Sequence, residues 1–182
     1  MRLVIYGDFN CPFSALASIR VARLEQAGIA EVDWRAVAHD LEIPALGEHV
    51  GSANARAYEA EIEQVRGLLL ADETIKLQVP TVRANTAAAT EVYAATETRT
   101  RARVRIELFR AYWEEGRNVG DPAFLDTMGL ASRAPRTAAD WRNEWLALDR
   151  PLVPMMRLPD GYVSRGLGAL ARLGDLIIGA AA

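Results

Sequence analysis

The chain has 182 residues, a formal net charge of −3 and one cysteine, Cys11. An intrachain disulfide and a multi-cysteine metal site are therefore excluded, and two histidines, His39 and His49, are too few for a convincing histidine site, so no metal is expected. The slightly acidic balance argues against a dedicated nucleic-acid partner, and a hydrophobic fraction of 51% with a charged fraction of 25% fits one globular domain, or one domain carrying an insertion.

The first forty residues read as a β-α-β unit. Arg2 to Tyr6 is a short apolar run suited to a buried strand, and Gly7-Asp8-Phe9-Asn10 is a turn. Pro12 then suits a first helical residue, whose N–H is not needed. Ala15, Leu16, Ile19, Val21, Ala22 and Leu24 follow with helical spacing, and Gly28 stops the helix as a left-handed residue would. Val32, Trp34, Ala36 and Ala38 alternate as a second strand. One helix between two strands implies a parallel pair with a right-handed crossover.

From Ala53 to Asp149 the pattern is helical, with breaks around Pro80, Gly116, Gly120 and Pro135. Asp121-Pro122 predicts an N-cap and first helical residue, and Thr137 followed by Asp140 predicts a helix start ahead of Trp141 and Trp145. The chain then returns to strand at Pro151–Leu158, turns at Pro159-Asp160-Gly161, pairs back through Tyr162–Ser164 and ends in a helix from Leu167 to Ile178. Pro154 inside a strand-like run is best explained by a cis peptide bond. The apolar start is interrupted by Gly7-Asp8, so no signal peptide is expected, and no stretch approaches the roughly 20 apolar residues of a membrane span. A soluble cytoplasmic protein without a membrane partner is expected, in a compartment that keeps a lone thiol reduced.

Chemistry concentrates in Phe9-Asn10-Cys11-Pro12-Phe13-Ser14, between the first strand and its helix. A cysteine at a helix N-terminus faces unpaired backbone N–H groups and the positive end of the helix dipole, which favour thiolate; Ser14, one turn on, can donate a hydrogen bond to the sulfur. The local expectation is a lowered pKa and a functional thiol rather than an inert buried one. His39-Asp40 closes the second strand, where a surface-turn histidine is the plainer reading beside that of a proton donor near the cleft. Arg165 reads as a solvated arginine rather than a carboxylate ligand.

Asp8 to Ser14 with Ala15-Leu16-Ala17-Ser18 resembles the active-site turn of the DsbA-like thioredoxin superfamily. The resemblance is to its branch holding FrnE-type oxidoreductases, 2-hydroxychromene-2-carboxylate isomerases and kappa-class glutathione transferases. Val32–Arg35, Asn85-Thr86 with Ala87–Ala89, Leu108–Gly116, Val153-Pro154 and Gly161–Gly166 match further pieces in order. The resemblance implies an α/β thioredoxin-like fold with a helical domain inserted after the N-terminal β-α-β unit: residues 1–48 and 151–182 for the thioredoxin-like part, 49–150 for the insertion. It also implies that Val153-Pro154 faces Cys11 and pairs with a peptide or glutathione backbone, and that Asn85 lies near the ligand; read from the residues alone, Asn85 is equally a plain helix N-cap with Thr86 starting the helix.

Where the oxidoreductases carry C-x-x-C, this chain carries C-P-F-S, so Ser14 cannot resolve a mixed disulfide. The expected function is a single-cysteine thiol–disulfide oxidoreductase, with Cys11 and Ser14 catalytic and Pro12, Phe13, Asn85, Val153 and Pro154 binding substrate. No cofactor is permanently bound; glutathione is a possible co-substrate, and the partner is a small thiol, disulfide or peptide. The alternatives are a glutathione-dependent isomerase or transferase, or a thioredoxin-fold binding module without catalysis. A monomer and a homodimer are both compatible.

Overall fold

The computed structural model describes residues 1–181. Its central sheet has the order β2-β1-β5-β6, formed by β1 (Arg2–Gly7), β2 (Glu31–Ala36), β5 (Met155–Arg157) and β6 (Val163–Arg165). β1 and β2 run parallel from Arg2 opposite Glu31 to Gly7 opposite Ala36, while β5 is antiparallel to both β1 and β6. Helix α1 (Pro12–Gln26) makes the β1–β2 crossover, and α7 (Gly166–Ala181) follows β6 and packs on α1. Four of the six β1 residues are buried, with Leu3, Ile5 and Tyr6 fully covered, as expected of a strand with elements on both faces.

Between the two parts of the sheet lie β3 (Glu48–His49), α2 (Ser52–Arg66), β4 (Val82–Arg83), α3 (Ala87–Ala95), α4 (Thr98–Trp113), α5 (Pro122–Thr127) and α6 (Pro135–Leu146). β3 and β4 pair antiparallel as a small ribbon inside a stretch whose pattern reads as helical. Two-residue strands are too short to show a period-2 alternation, so the pairing is visible only in three dimensions. Helix α6 starts earlier than the Thr137–Asp140 signal: Pro135 occupies the first turn, and Ala134 is the cap residue with no side-chain hydrogen bond. The second strand stops at Ala36 rather than Ala38, although the Val37 N–H still donates to the Gly7 carbonyl.

Several local expectations hold. Gly28 adopts φ +68° just past the end of α1, and the Asp121 carboxylate accepts the Ala123 N–H at 2.9 Å to cap α5. The Val153–Pro154 peptide bond is cis. Two buried arginines tie the helices to one another. Arg20 on α1 grips Glu73 through Nε and Nη2 (2.9 and 2.8 Å) and donates to the carbonyls of Leu170 on α7 and Leu68. Arg105 on α4 donates to Ser18 and Glu25 of α1 and lies 5.2 Å from the centre of the Trp34 ring. Among the described residues, no helix is long and apolar enough to cross a membrane.

Candidate active site

Cys11 is the N-cap residue of α1, with extended backbone (φ −104°, ψ 120°) and Pro12 opening the first turn. Its loop is anchored at each residue. The Phe9 carbonyl accepts the Trp113 indole N–H at 2.9 Å, and the Phe9 ring packs against Phe109 and Tyr93. The Asn10 amide donates to the Ala84 carbonyl at 2.9 Å, and the Cys11 N–H donates to the Asp8 carbonyl at 3.2 Å. Asp8, only 1% exposed, collects the Thr86 hydroxyl at 2.6 Å, the Asn10 N–H at 3.2 Å, and the backbone N–H and ring Nδ1 of His39, each at 2.7 Å. A buried carboxylate is tolerated because its lone pairs are satisfied in this way.

Cys11, Pro12 and Phe13 line one wall of a cavity of about 450 Å³. The other lining residues come from five separate stretches of the chain. Helix α2 offers Asn54, Tyr58 and Glu61, spaced to share one helix face. His39 and Arg83 add a polar edge, with Arg83 held by Asp40 (2.5 Å) and Glu48 (2.9 Å). Trp145, Pro151, Leu152 and Val153 close an apolar side. The Cys11 thiol points at the Val153 carbonyl, with Sγ 3.9 Å from the oxygen that precedes the cis proline.

Packing overrides the thiolate expected from the helix N-terminus. Burial pushes the Cys11 thiol up from 9.0 to about 11. The Ser14 hydroxyl and the backbone N–H groups of Ser14 and Phe13 oppose the rise, as a helix N-terminus should, while the Asp8 charge adds to it. Desolvation wins, and the resting sulfur is a protonated thiol.

Of the residues singled out in the sequence, Cys11, Pro12, Phe13 and Val153 meet at the cavity. Ser14 is fully buried beneath, where its hydroxyl accepts the Asp8 N–H at 3.3 Å and serves the Cys11 sulfur. Pro154 directly follows Val153 and fixes the course of the chain there through its cis bond. Asn85 does not line the cavity: its amide donates to the Ile43 carbonyl at 2.6 Å and accepts the Ala87 N–H at 3.0 Å, at the start of α3. Arg165 donates to the Asp149 and Val163 carbonyls, away from the site. His39 is not a plain surface-turn residue, since it borders the cavity and is held by Asp8. Tyr58, Arg83 and Trp145 line the cavity without a signal in the sequence that places them there, because their segments reach Cys11 only through tertiary folding.

A DSBA-like thioredoxin domain matches residues 2–139. The chain belongs to the DSBA-like thioredoxin family. Solved structures of the same fold include a 2-hydroxychromene-2-carboxylate isomerase (22% identity, all of this chain and 96% of that one, TM-score 0.65). The cytosolic disulfide reductase DsbM from Pseudomonas aeruginosa, solved with GSH, is 17% identical over all of this chain and 98% of its own, at TM-score 0.62. A probable DsbA oxidoreductase from Streptomyces coelicolor is 16% identical over 99% of this chain and 89% of its own, at TM-score 0.68. At these identities the likeness establishes the fold and not the reaction. Among curated proteins none matches the sequence significantly. The protein thus combines a mixed sheet with helical elements and a single thiol at the strand–helix turn.

Proposed function

We propose that the protein is a thiol–disulfide oxidoreductase that works through Cys11 alone and is turned over by an external thiol such as glutathione. The observation that carries this reading is the position of the sulfur: at the N-terminus of α1, on the wall of the cavity, facing the carbonyl before a cis proline. In the first step the Cys11 thiol gives its proton to solvent and the thiolate attacks one sulfur of a bound disulfide. A Cys11–sulfur bond forms, the substrate S–S bond breaks, and its electron pair leaves on the other sulfur. An external thiolate then attacks the mixed disulfide and releases Cys11. With Ser14 in place of a second cysteine, no intramolecular release is available.

Intact-mass measurement after mixing with oxidised glutathione tests this. The parent should carry one glutathione adduct, lost on adding reduced glutathione, and Cys11→Ser should carry none. A parent that forms no adduct across neutral to alkaline pH refutes the reading.

One observation favours a second reading, a thiol-dependent isomerase or transferase. A sulfur that holds its proton to about pH 11 is a hydrogen-bond donor, so a more acidic thiol bound beside it would carry the negative charge and act as nucleophile. On that reading Cys11→Ser retains turnover, because a hydroxyl donates as well as a thiol.

A further inference from the structure

Asp8 and His39 lie on separate loops yet meet side chain to side chain, Nδ1 to Oδ2, at 2.7 Å. Asp8 is an acceptor here, since it already receives the Thr86 hydroxyl and two backbone N–H groups, so Nδ1 carries the hydrogen of the contact. That leaves Nε2 as the nitrogen free to meet a ligand, on a ring that borders the same cavity as Cys11. The loop itself is tied to Asp8 by the His39 backbone N–H, so the fold does not need the ring for that tie. An imidazole oriented by a buried carboxylate at the edge of a cavity is an acid–base arrangement.

We infer that the Asp8–His39 dyad is the proton donor to the sulfur that departs when Cys11 attacks a disulfide. The inference rests on the thiol–disulfide reading above. The Cys11 thiolate bonds to the nearer sulfur, and the S–S electron pair passes to the outer sulfur. That sulfur takes the proton from His39 Nε2 and leaves as a neutral thiol. Neutral His39 then regains a proton from solvent. Cys11 ends oxidised in the mixed disulfide, and the departing sulfur ends reduced.

The charges around the ring suit this role. Burial alone lowers the His39 pKa, but the hydrogen bond and charge of Asp8, with Asp40 adding, outweigh it and raise it above 6.5. Arg83 on β4 opposes the rise, and Glu61 on α2 faces the same ring, its own pKa raised by burial and eased down by His39. The ring is thus an imidazolium over a wider range up from acid pH than a free histidine.

The test is His39→Gln, at a side chain 38% exposed and so tolerant of replacement. The rate of Cys11 mixed-disulfide formation is measured with two disulfides, oxidised glutathione and an aromatic disulfide whose departing thiolate is stable without a proton. The variant should be slower by about 100-fold with oxidised glutathione, at the low end for a positioned general acid, and unchanged with the aromatic disulfide. The parent's advantage should shrink as pH rises past the His39 titration. Equal rates for parent and variant with oxidised glutathione overturn the dyad and leave the thiol–disulfide reading standing. Equal slowing with both disulfides also overturns it, because the ring would then act on Cys11 or on the fold. A parent unreactive toward both disulfides overturns the dyad together with the reading beneath it.

Discussion

The protonation state of Cys11 decides how this site can begin a reaction, and it gives a measurable number. A rise from 9.0 to about 11 leaves about 100-fold less thiolate at neutral pH than an unperturbed cysteine has. Only the thiolate is alkylated at a useful rate. Iodoacetamide should therefore modify the folded protein about 100-fold more slowly at pH 7 than the urea-unfolded chain. Cys11 is the only cysteine, so the signal has one source. The same shift enters stability. The folded state holds the proton more tightly, so the contribution is complete below pH 9 and is lost as pH rises through 9 towards 11, by up to about 3 kcal/mol. Tyr93 and Tyr112, also raised by burial, titrate in the alkaline range, so the quantity to compare is parent against Cys11→Ser in urea melts at each pH. Alkylation of the folded protein at pH 7 as fast as that of the unfolded chain refutes the claim that desolvation outweighs the helix N-terminus.

Three further outcomes follow from named contacts. Glu73→Ala strands the Arg20 guanidinium, 2% exposed, without its carboxylate and should cost about 3–5 kcal/mol in a urea denaturation series. Ser14→Cys places a second sulfur where the hydroxyl now serves Cys11, so the oxidised variant should form an internal disulfide and release a glutathione adduct without added thiol, as intact mass would show. Gly7→Ala would set its Cβ 2.3 Å from Cζ2 of Trp34, so it should destabilise by about 1–3 kcal/mol and shift the tryptophan emission.

Local chemistry was readable where a single residue type dictates a backbone state. Pro12 opens α1, Gly28 takes φ +68° beyond it, Asp121 caps α5 and Pro154 follows a cis bond, each as its neighbours in sequence imply. The nature of the sulfur was not readable. A helix N-terminus can be recognised from Cys11-Pro12, whereas its desolvation depends on chain as distant as Val153. The same holds for His39, whose partner Asp8 is 31 residues away, and for Arg20 and Arg105, whose charges look like solvated helix faces until Glu73 and Glu25 are brought to them. The far wall of the cavity was hidden for a related reason: Asn54, Tyr58 and Glu61 look like an ordinary polar stripe on a helix until α2 is placed over Cys11.

One thiol and one cavity also constrain the order of events. A cavity of about 450 Å³ is of a size to hold one small ligand, and Cys11 sits on its wall. Once the mixed disulfide has formed, its bound half occupies that space, and the resolving thiol can enter only after the first departing thiol has gone. The thiol–disulfide reading therefore requires a double-displacement order, with initial rates at several fixed concentrations of reduced glutathione giving parallel double-reciprocal lines against the disulfide. An isomerase or transferase needs its thiol and its second substrate in the cavity together, and gives converging lines. Converging lines, with Cys11→Ser still active, would move the assignment to the second reading, because a sulfur that stays protonated to about pH 11 is suited to hold a partner thiolate in place.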